Sequence, residues 1–348
     1  MVIYAKKLLS ERVMKAIVKA EPKPGIEVFD VPIPHVKPGF TLLKVKACGI
    51  CGSDVHIYDW TPGYEVMTPY MPLILGHEFS GEVIEVGAGP TELTAGDRVV
   101  AGPSRRYSHP PRSYDRPLIG PFANGGLAEY ALVSSDRLWK LPQTVSYAVG
   151  AMCEPLAIAM NAVQLSKILP GERSVVLGPG PIGLLTLLSL KASGVYVFVT
   201  GKGIDVNRLQ LALQLGADVT INVDKVNPEL MISQSTRGAG VDTVYEATGF
   251  PPTIQQGLNM VKRGGKVVVI GIHPSFGSIN LLDLVRGAKQ ILGSYSGPVS
   301  IWTREFALLA RGLIKPEPII SHKLPLTEAE KGFNLAQTKQ GVKIIIEP

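Results

Sequence analysis

Two hydrophobic rhythms divide the chain. From 13 to 100, apolar residues come in short runs that alternate with polar ones and are cut by Gly and Pro: TLLKVKACGI, GEVIEVG, AGDRVV. A period of two puts one face of each strand on a core and the other toward water, which predicts β-rich, barrel-like structure. Residues 101–125 are rich in Pro, Arg, Ser and Tyr and predict a long loop, of a length usually tied to function or to an interface. Near Glu154 the rhythm changes. ERSVVLG (172–178), VYVFVT (195–200), VTINV, VDTVYEA, KVVVIGI and KQILGSY are short, nearly continuous apolar runs, and helical stretches such as PIGLLTLLSLKASG (181–194) and NRLQLALQLGA (207–217) lie between them. Strands apolar on both faces, alternating with helices, predict an α/β domain with a doubly wound parallel sheet. After about 297 the pattern is mixed and ends in VKIIIEP, a last strand. The expected organisation is a βαβ domain over 161–296, set inside a β-rich domain made of 1–160 and 297–348.

Composition narrows the class. With 348 residues, 45% hydrophobic and 18% charged, the chain has apolar material for two cores and is not a disordered protein. No apolar run reaches the roughly 20 residues that span a bilayer, and the N-terminal stretch carries charges where a signal peptide needs an unbroken apolar segment. A cytoplasmic location is the expectation. The net charge of +6 is scattered, its densest stretch being Arg105, Arg106 and Arg112. Without a basic face on a nucleic-acid-binding module, no nucleic-acid partner is expected. Three cysteines, Cys48, Cys51 and Cys153, cannot build a disulfide framework. Cys48 and Cys51 form a CxxC, but a zinc ribbon needs a second pair, and a redox pair should open a helix after a strand. Gly49 and Gly52 instead suggest a bent loop here.

LGPGPIG (177–183) stands between the first strand of the βαβ block and its first helix. In that setting Gly178, Gly180 and Gly183 form the GxGxxG phosphate loop. The first Gly permits the tight turn, the second lets backbone approach a pyrophosphate, the third allows close helix packing, and free N–H groups at the helix start face the anion. Pro181 and Ile182 lie in the same loop, and Thr248 and Gly271 follow later strands; all are candidate cofactor residues. At the end of the second strand an acidic side chain would bind the ribose of NAD. This chain has Gly201, Lys202 and Gly203 there, with Asp205 later, while Lys202 and Arg208 could meet a 2′-phosphate. The residues favour NADP over NAD.

CGSDVH (51–56) and LGHEFSG (75–81) place Cys51, His77 and Glu78 in the first half, and MCEPLA adds Glu154. Thiolate, imidazole and carboxylate suit zinc. Singly, such residues are usually a core Cys, a satisfied His and a solvated Glu. Their joint occurrence ahead of a dinucleotide loop is what points to a metal.

CGSDVH, GHEFSGEVIEVGAG, AGDRVV, GGLAEY, EPLA and LGPGPIG, in that order, resemble the zinc-containing medium-chain dehydrogenases, in particular the sorbitol (polyol) and threonine dehydrogenase branch. The likeness covers the chain after its first dozen residues. It implies a Rossmann domain inserted in a GroES-like β-rich catalytic domain. It further implies that Cys51 and His77 bind catalytic zinc, with Glu78 and Glu154 completing the site directly or through water and Cys153 as the rival to Glu154. Asp54 would orient His77, and Ser53 and His56 would pass the alcohol proton toward solvent. Many relatives hold a second, structural zinc on four cysteines in the loop equivalent to 101–122. This chain has none there, so one zinc is expected.

The resemblance thus implies an NAD(P)-dependent alcohol dehydrogenase that oxidises a secondary alcohol to a ketone, reversibly, and a homo-oligomer, a tetramer by preference. HIYDW (56–60) is similar to the threonine branch, whereas GSDVH with EPLA fits the polyol enzymes equally well. Arg105, Arg106, Tyr107 and His109 in the 101–122 loop line a cleft, an oligomer contact or plain packing; a basic cleft would favour an acidic or phosphorylated substrate. Two other classes stay open: a zinc-free quinone or enoyl reductase of the same architecture, and a non-enzymatic relative.

Overall fold

A computed structural model describes residues 12–105 and 124–348. Arg106, Tyr107, His109 and Arg112 lie outside the described residues. The chain divides into two compact units, Met1–Glu154 with Ile320–Pro348, and Pro155–Ile319. Hydrophobic rhythm put the divisions at 160/161 and 296/297. The compact units instead divide at 154/155 and 319/320, so 297–319, with the helix whose Ile301, Trp302 and Leu309 are buried, falls in the second unit.

In the first unit, β1 (Val13–Lys19), β2 (Glu27–Pro32), β3 (Phe40–Gly49), α1 (Gly52–Asp59), β4 (Leu73–Ile74), β5 (Glu78–Val86), β6 (Arg98–Ala101), β7 (Tyr130–Ser134), β8 (Leu138–Lys140), α2 (Tyr147–Gly150) and the start of α3 (Cys153–Ser166) follow one another. β2, β1 and β4 form a small sheet, in that order. β3 is the hub of a larger one. It pairs antiparallel with β5 over most of its length and with β7 over Phe40–Lys44, and β6 and β8 extend the sheet beyond β5. Alternating residues of these strands, such as Leu43, Val45, Phe79, Val83, Val99 and Leu138, meet in one core. This is the alternation read from the sequence, converted into burial.

The second unit carries β9 (Arg173–Leu177), α4 (Pro181–Ala192), β10 (Tyr196–Gly201), α5 (Val206–Gln214), β11 (Val219–Asn222), α6 (Pro228–Ser235), β12 (Val241–Glu246), α7 (Pro252–Met260), β13 (Val261–Val269), α8 (Leu281–Arg286), β14 (Gln290–Gly293) and α9 (Val299–Ala310). Its six strands are all parallel in the order β11-β10-β9-β12-β13-β14. The order reverses beside β9, so its carboxyl end is the switch point at which such sheets bind ligands. Val175, Leu177, Phe198, Val244 and Val267 pack in a core of their own. Helix α4 starts with Pro at its first turn, where no N–H is needed, and is apolar nearly all round, with Leu184, Leu185, Leu187 and Leu190 buried.

The chain then returns to the first unit with β15 (Ile320–Pro325), α10 (Ala329–Gln337) and β16 (Lys343–Glu347). β16 pairs parallel with β15 and, through Ile345 and Ile346, antiparallel with Gly49 and Cys48 at the end of β3. The last strand is therefore laid beside the CxxC. No described helix is long and apolar enough to cross a membrane.

Candidate metal centre and dinucleotide site

β3 ends at Gly49 and α1 starts at Gly52, with Cys51 as its N-terminal cap. The bent loop expected around this CxxC is thus a strand running into a helix, the local geometry a redox pair would also use. The two thiols nevertheless have different surroundings. Cys48 is fully buried in the apolar core, with its thiol pushed well up by desolvation, and packs where a Cβ on Gly76 would come within 2.7 Å of its sulfur. Cys51 is half-buried and faces the loop that enters β5.

That loop brings His77 and Glu78 to Cys51. Their ligand atoms, thiol sulfur, imidazole nitrogen and carboxylate oxygen, all lie within 4.8 Å of one another. Asp54, in the first turn of α1, accepts the Cys51 amide at 3.0 Å through one carboxylate oxygen and lies 3.8 Å from His77 Nδ1 through the other. The carboxylate is 2% exposed. Burial raises its pKa above the usual range, against the pull of His77.

Glu154 is outside the tight trio but close enough to act electrostatically on His77. Desolvation pushes its carboxyl up to about 7. For His77, desolvation acts downward, yet the Cys51 and Asp54 charges outweigh it and hold the imidazole well above its usual value. The site thus gathers four groups that can carry negative charge, Cys51, Asp54, Glu78 and Glu154, around two that can carry positive charge, His77 and Lys343. An excess of acid with soft and borderline donors facing one point suits a divalent cation such as zinc.

Lys343 is the residue that sequence reasoning missed. It opens β16, is 2% exposed, and its ammonium pairs with the 1% exposed Glu78 carboxylate while donating to the Ile50 carbonyl at 3.0 Å. Burial alone would lower its pKa; Glu78 and Cys51 outweigh this and raise it. Gly49 makes the approach possible, since a Cβ there would lie 2.3 Å from the Glu78 carboxylate and 2.8 Å from Lys343 Cε. The clue was a lone Lys heading the apolar run KIII.

The two proton-relay candidates sit on α1, Ser53 half-buried and His56 exposed. His56 Nδ1 lies 3.3 Å from the Thr61 hydroxyl, and its ring stacks on Tyr64 at 5.8 Å. Thr61 and Tyr64, which orient that ring, were not singled out from the sequence.

In the second unit the phosphate loop follows β9. Gly178 has φ +96°, and a Cβ on it would meet Thr248 Cγ2 at 2.9 Å. At Gly183 a Cβ would lie 1.9 Å from the Gly178 carbonyl, so the loop and α4 close on each other only without a side chain. Gly180 faces open space at the helix start, leaving the backbone N–H groups of the first turn free to meet an anion. Ile182 and Pro181 form that first turn. Beyond β10, the Lys202 side chain is exposed and lies 5.9 Å from the Phe250 ring. Arg208 lies 3.7 Å from Asp205, each side chain 12% exposed. Asp205 also accepts the Lys202 amide at 3.1 Å, and Asp224 accepts the Gly203 amide at 2.6 Å. Two carboxylates therefore stand beside the two cations. Gly271, after β13, touches Gly249 and Glu246 so closely that a Cβ would come within 2.4 Å of the Gly249 nitrogen.

Comparison with known proteins agrees with this division. Residues 37–143 match the family model "Alcohol dehydrogenase GroES-like domain" and 181–311 match "Zinc-binding dehydrogenase". The chain is 36% identical to an L-threonine 3-dehydrogenase of Bacillus velezensis, over 96% of this chain and 99% of that protein. It is 33% identical to a D-arabitol-phosphate dehydrogenase of Enterococcus avium, over 97% and 98%. A solved structure of a Sinorhizobium meliloti 1021 protein bound to NADP superposes with a TM-score of 0.87 at 30% identity, over 97% and 100%.

Proposed function

The chain belongs to the zinc-binding alcohol dehydrogenases, and from that premise we propose that it is a zinc- and NAD(P)-dependent enzyme oxidising a secondary alcohol to a ketone, reversibly. The observation that carries this reading is the convergence of Cys51, His77 and Glu78 within 4.8 Å. Cys51 and His77 would hold the ion, with Glu78 and Glu154 completing its surroundings directly or through water. When bound, zinc would supply Lewis acidity at the substrate oxygen and the dinucleotide a hydride acceptor. Asp54 fixes the Cys51 backbone and faces the His77 ring, so both ligands keep their orientation. Ser53 Oγ would accept the alcohol proton while giving up its own, and His56, exposed and with Nδ1 beside the Thr61 hydroxyl, would stand at the solvent end of that relay.

Gly178, Gly180, Pro181, Ile182 and Gly183 form the phosphate cradle, supported by Thr248 and Gly271. NADP is the favoured dinucleotide, met at its 2′-phosphate by Lys202 and Arg208; a strong preference for NAD in kcat/KM would refute this. We take the enzyme to hold one zinc per chain, because 101–122 has no cysteine. Two tightly bound zinc ions per chain by elemental analysis would contradict it. A tetramer, inferred from the resemblance, is checked by light scattering.

The decisive experiment assays a panel of threonine, polyols, a phosphorylated polyol and simple secondary alcohols with both cofactors, before and after chelation. Activity lost with zinc and restored by it supports the proposal. Full turnover of a quinone or enoyl substrate without zinc would replace it with the reductase reading.

A further inference from the structure

Glu246, the last residue of β12, is fully buried, yet among the described residues its only ion-pair partner is His273. One carboxylate oxygen accepts the amides of Thr248 at 2.7 Å and Gly249 at 3.1 Å, together with the Thr248 hydroxyl, and lies 3.0 Å from the Thr253 hydroxyl. The other lies 2.9 Å from His273 Nε2. The Glu246 carbonyl in turn accepts the amides of Ile270 and Gly271 at 2.9 and 3.0 Å. One residue therefore ties the turn after β12 to the turn after β13. Contact between the turns is backbone on backbone: a Cβ on Gly249 would lie 2.7 Å from the Ile272 carbonyl.

The carboxylate needs donors, so His273 presents Nε2–H to it. His273 Nδ1 is buried and has no hydrogen-bond partner among the described residues. Packing the ring this way is unfavourable for Nδ1, and what the ring does instead is hold residues 271–273 down on Glu246. Next to it Ile272 is 71% exposed, an apolar surface carried on a clamped turn at the carboxyl edge of the sheet. In a doubly wound sheet the dinucleotide crosses this edge at the switch point, one nucleotide over each half. The phosphate loop follows β9, and Lys202 follows β10 at the adenosine end. The β12–β13–β14 half is left for the nicotinamide nucleotide.

We propose that the Glu246–His273 pair is a clamp that shapes the turn 271–273 for the nicotinamide half of the cofactor, making His273 a positioning residue for that half alone. The inference rests on the dinucleotide reading above. Glu246 is a poor place to test it, because its partner Thr248 also packs against Gly178 of the phosphate loop. His273 lies in the second turn, and its hydrogen bond goes to Glu246 and not to the phosphate loop.

The test compares His273→Ala and His273→Gln with the unaltered protein. Binding of NADH and NADPH is read by fluorescence, and binding of ADP-ribose, which lacks the nicotinamide, by calorimetry. His273→Ala should weaken binding of the better reduced cofactor by about tenfold or more and leave ADP-ribose within about twofold. His273→Gln, which keeps a donor for Glu246, should recover most of the loss. Unchanged reduced-cofactor affinity in His273→Ala, an equal loss for ADP-ribose, or a Gln variant no better than Ala would each overturn the clamp while the unaltered protein still binds. If the unaltered protein binds neither ligand, the dinucleotide reading fails and takes the clamp with it.

Discussion

Replacing Lys343 by Met tests the buried pair behind the metal site. The substitution keeps volume and removes the ammonium, leaving Glu78, 1% exposed, without its counter-charge. Breaking one side of a buried pair costs about 3–5 kcal/mol, because the remaining charge stays desolvated. The Ile50 carbonyl also loses its donor. For a unit of this size, about 1 kcal/mol moves the melting temperature by roughly 2–4 °C. Zinc-free Lys343→Met should therefore melt roughly 6–20 °C below the zinc-free parent. Zinc places a dication near Glu78, so loading should recover part of the deficit. The double variant Lys343→Met/Glu78→Gln removes both charges and should be far less damaged than the sum of its single changes. Calorimetric melting of the four proteins, with and without zinc, closes the cycle. A shift below about 2 °C for Lys343→Met, or additive effects in the double variant, would refute the argument that the pair is held as a desolvated unit.

Cys51→Ser should lose zinc and turnover together while NAD(P)H binding stays near the parent value; zinc content by elemental analysis is the check, and retained activity would count against the site. Gly183→Ala puts a methyl 1.9 Å from the Gly178 carbonyl, so the loop must move, and cofactor affinity should fall by at least about tenfold while zinc content is unchanged. The pH dependence has a definite sign. In the zinc-free chain Glu154 holds its proton up to about 7, above the unfolded carboxylate, so its favourable contribution is present below about 4.5 and is lost as pH rises toward 7. The melting temperature of zinc-free parent relative to zinc-free Glu154→Gln should fall across that window. Because the ligands bind as deprotonated groups, the stabilisation produced by zinc should grow over the same range. A flat difference between the two proteins would dispose of the Glu154 assignment.

Local pattern determined a good deal. Short, nearly continuous apolar runs between helical stretches, read against the Gly178–Gly183 loop, specify a parallel sheet, because strands covered on both faces lose the polar alternation. The donors Cys51, His77 and Glu78 were legible as chemical types in two separate motifs, and the described structure brings them together. Folding alone decided which residues share their surroundings. Lys343 reaches Glu78 because β16 pairs with the end of β3 across nearly 300 positions of chain, and no local signal encodes a contact closed by a strand that arrives last. The same holds for Glu246 and His273, which face each other only because parallel strands end side by side. The helix beginning at Gly52, where two glycines suggested a bend, is started by a local cap: Asp54 in its first turn accepts the Cys51 amide. Sequence periodicity sets which face of an element is buried; what that face meets depends on pairings between distant segments, and those pairings built the electrostatics of both sites.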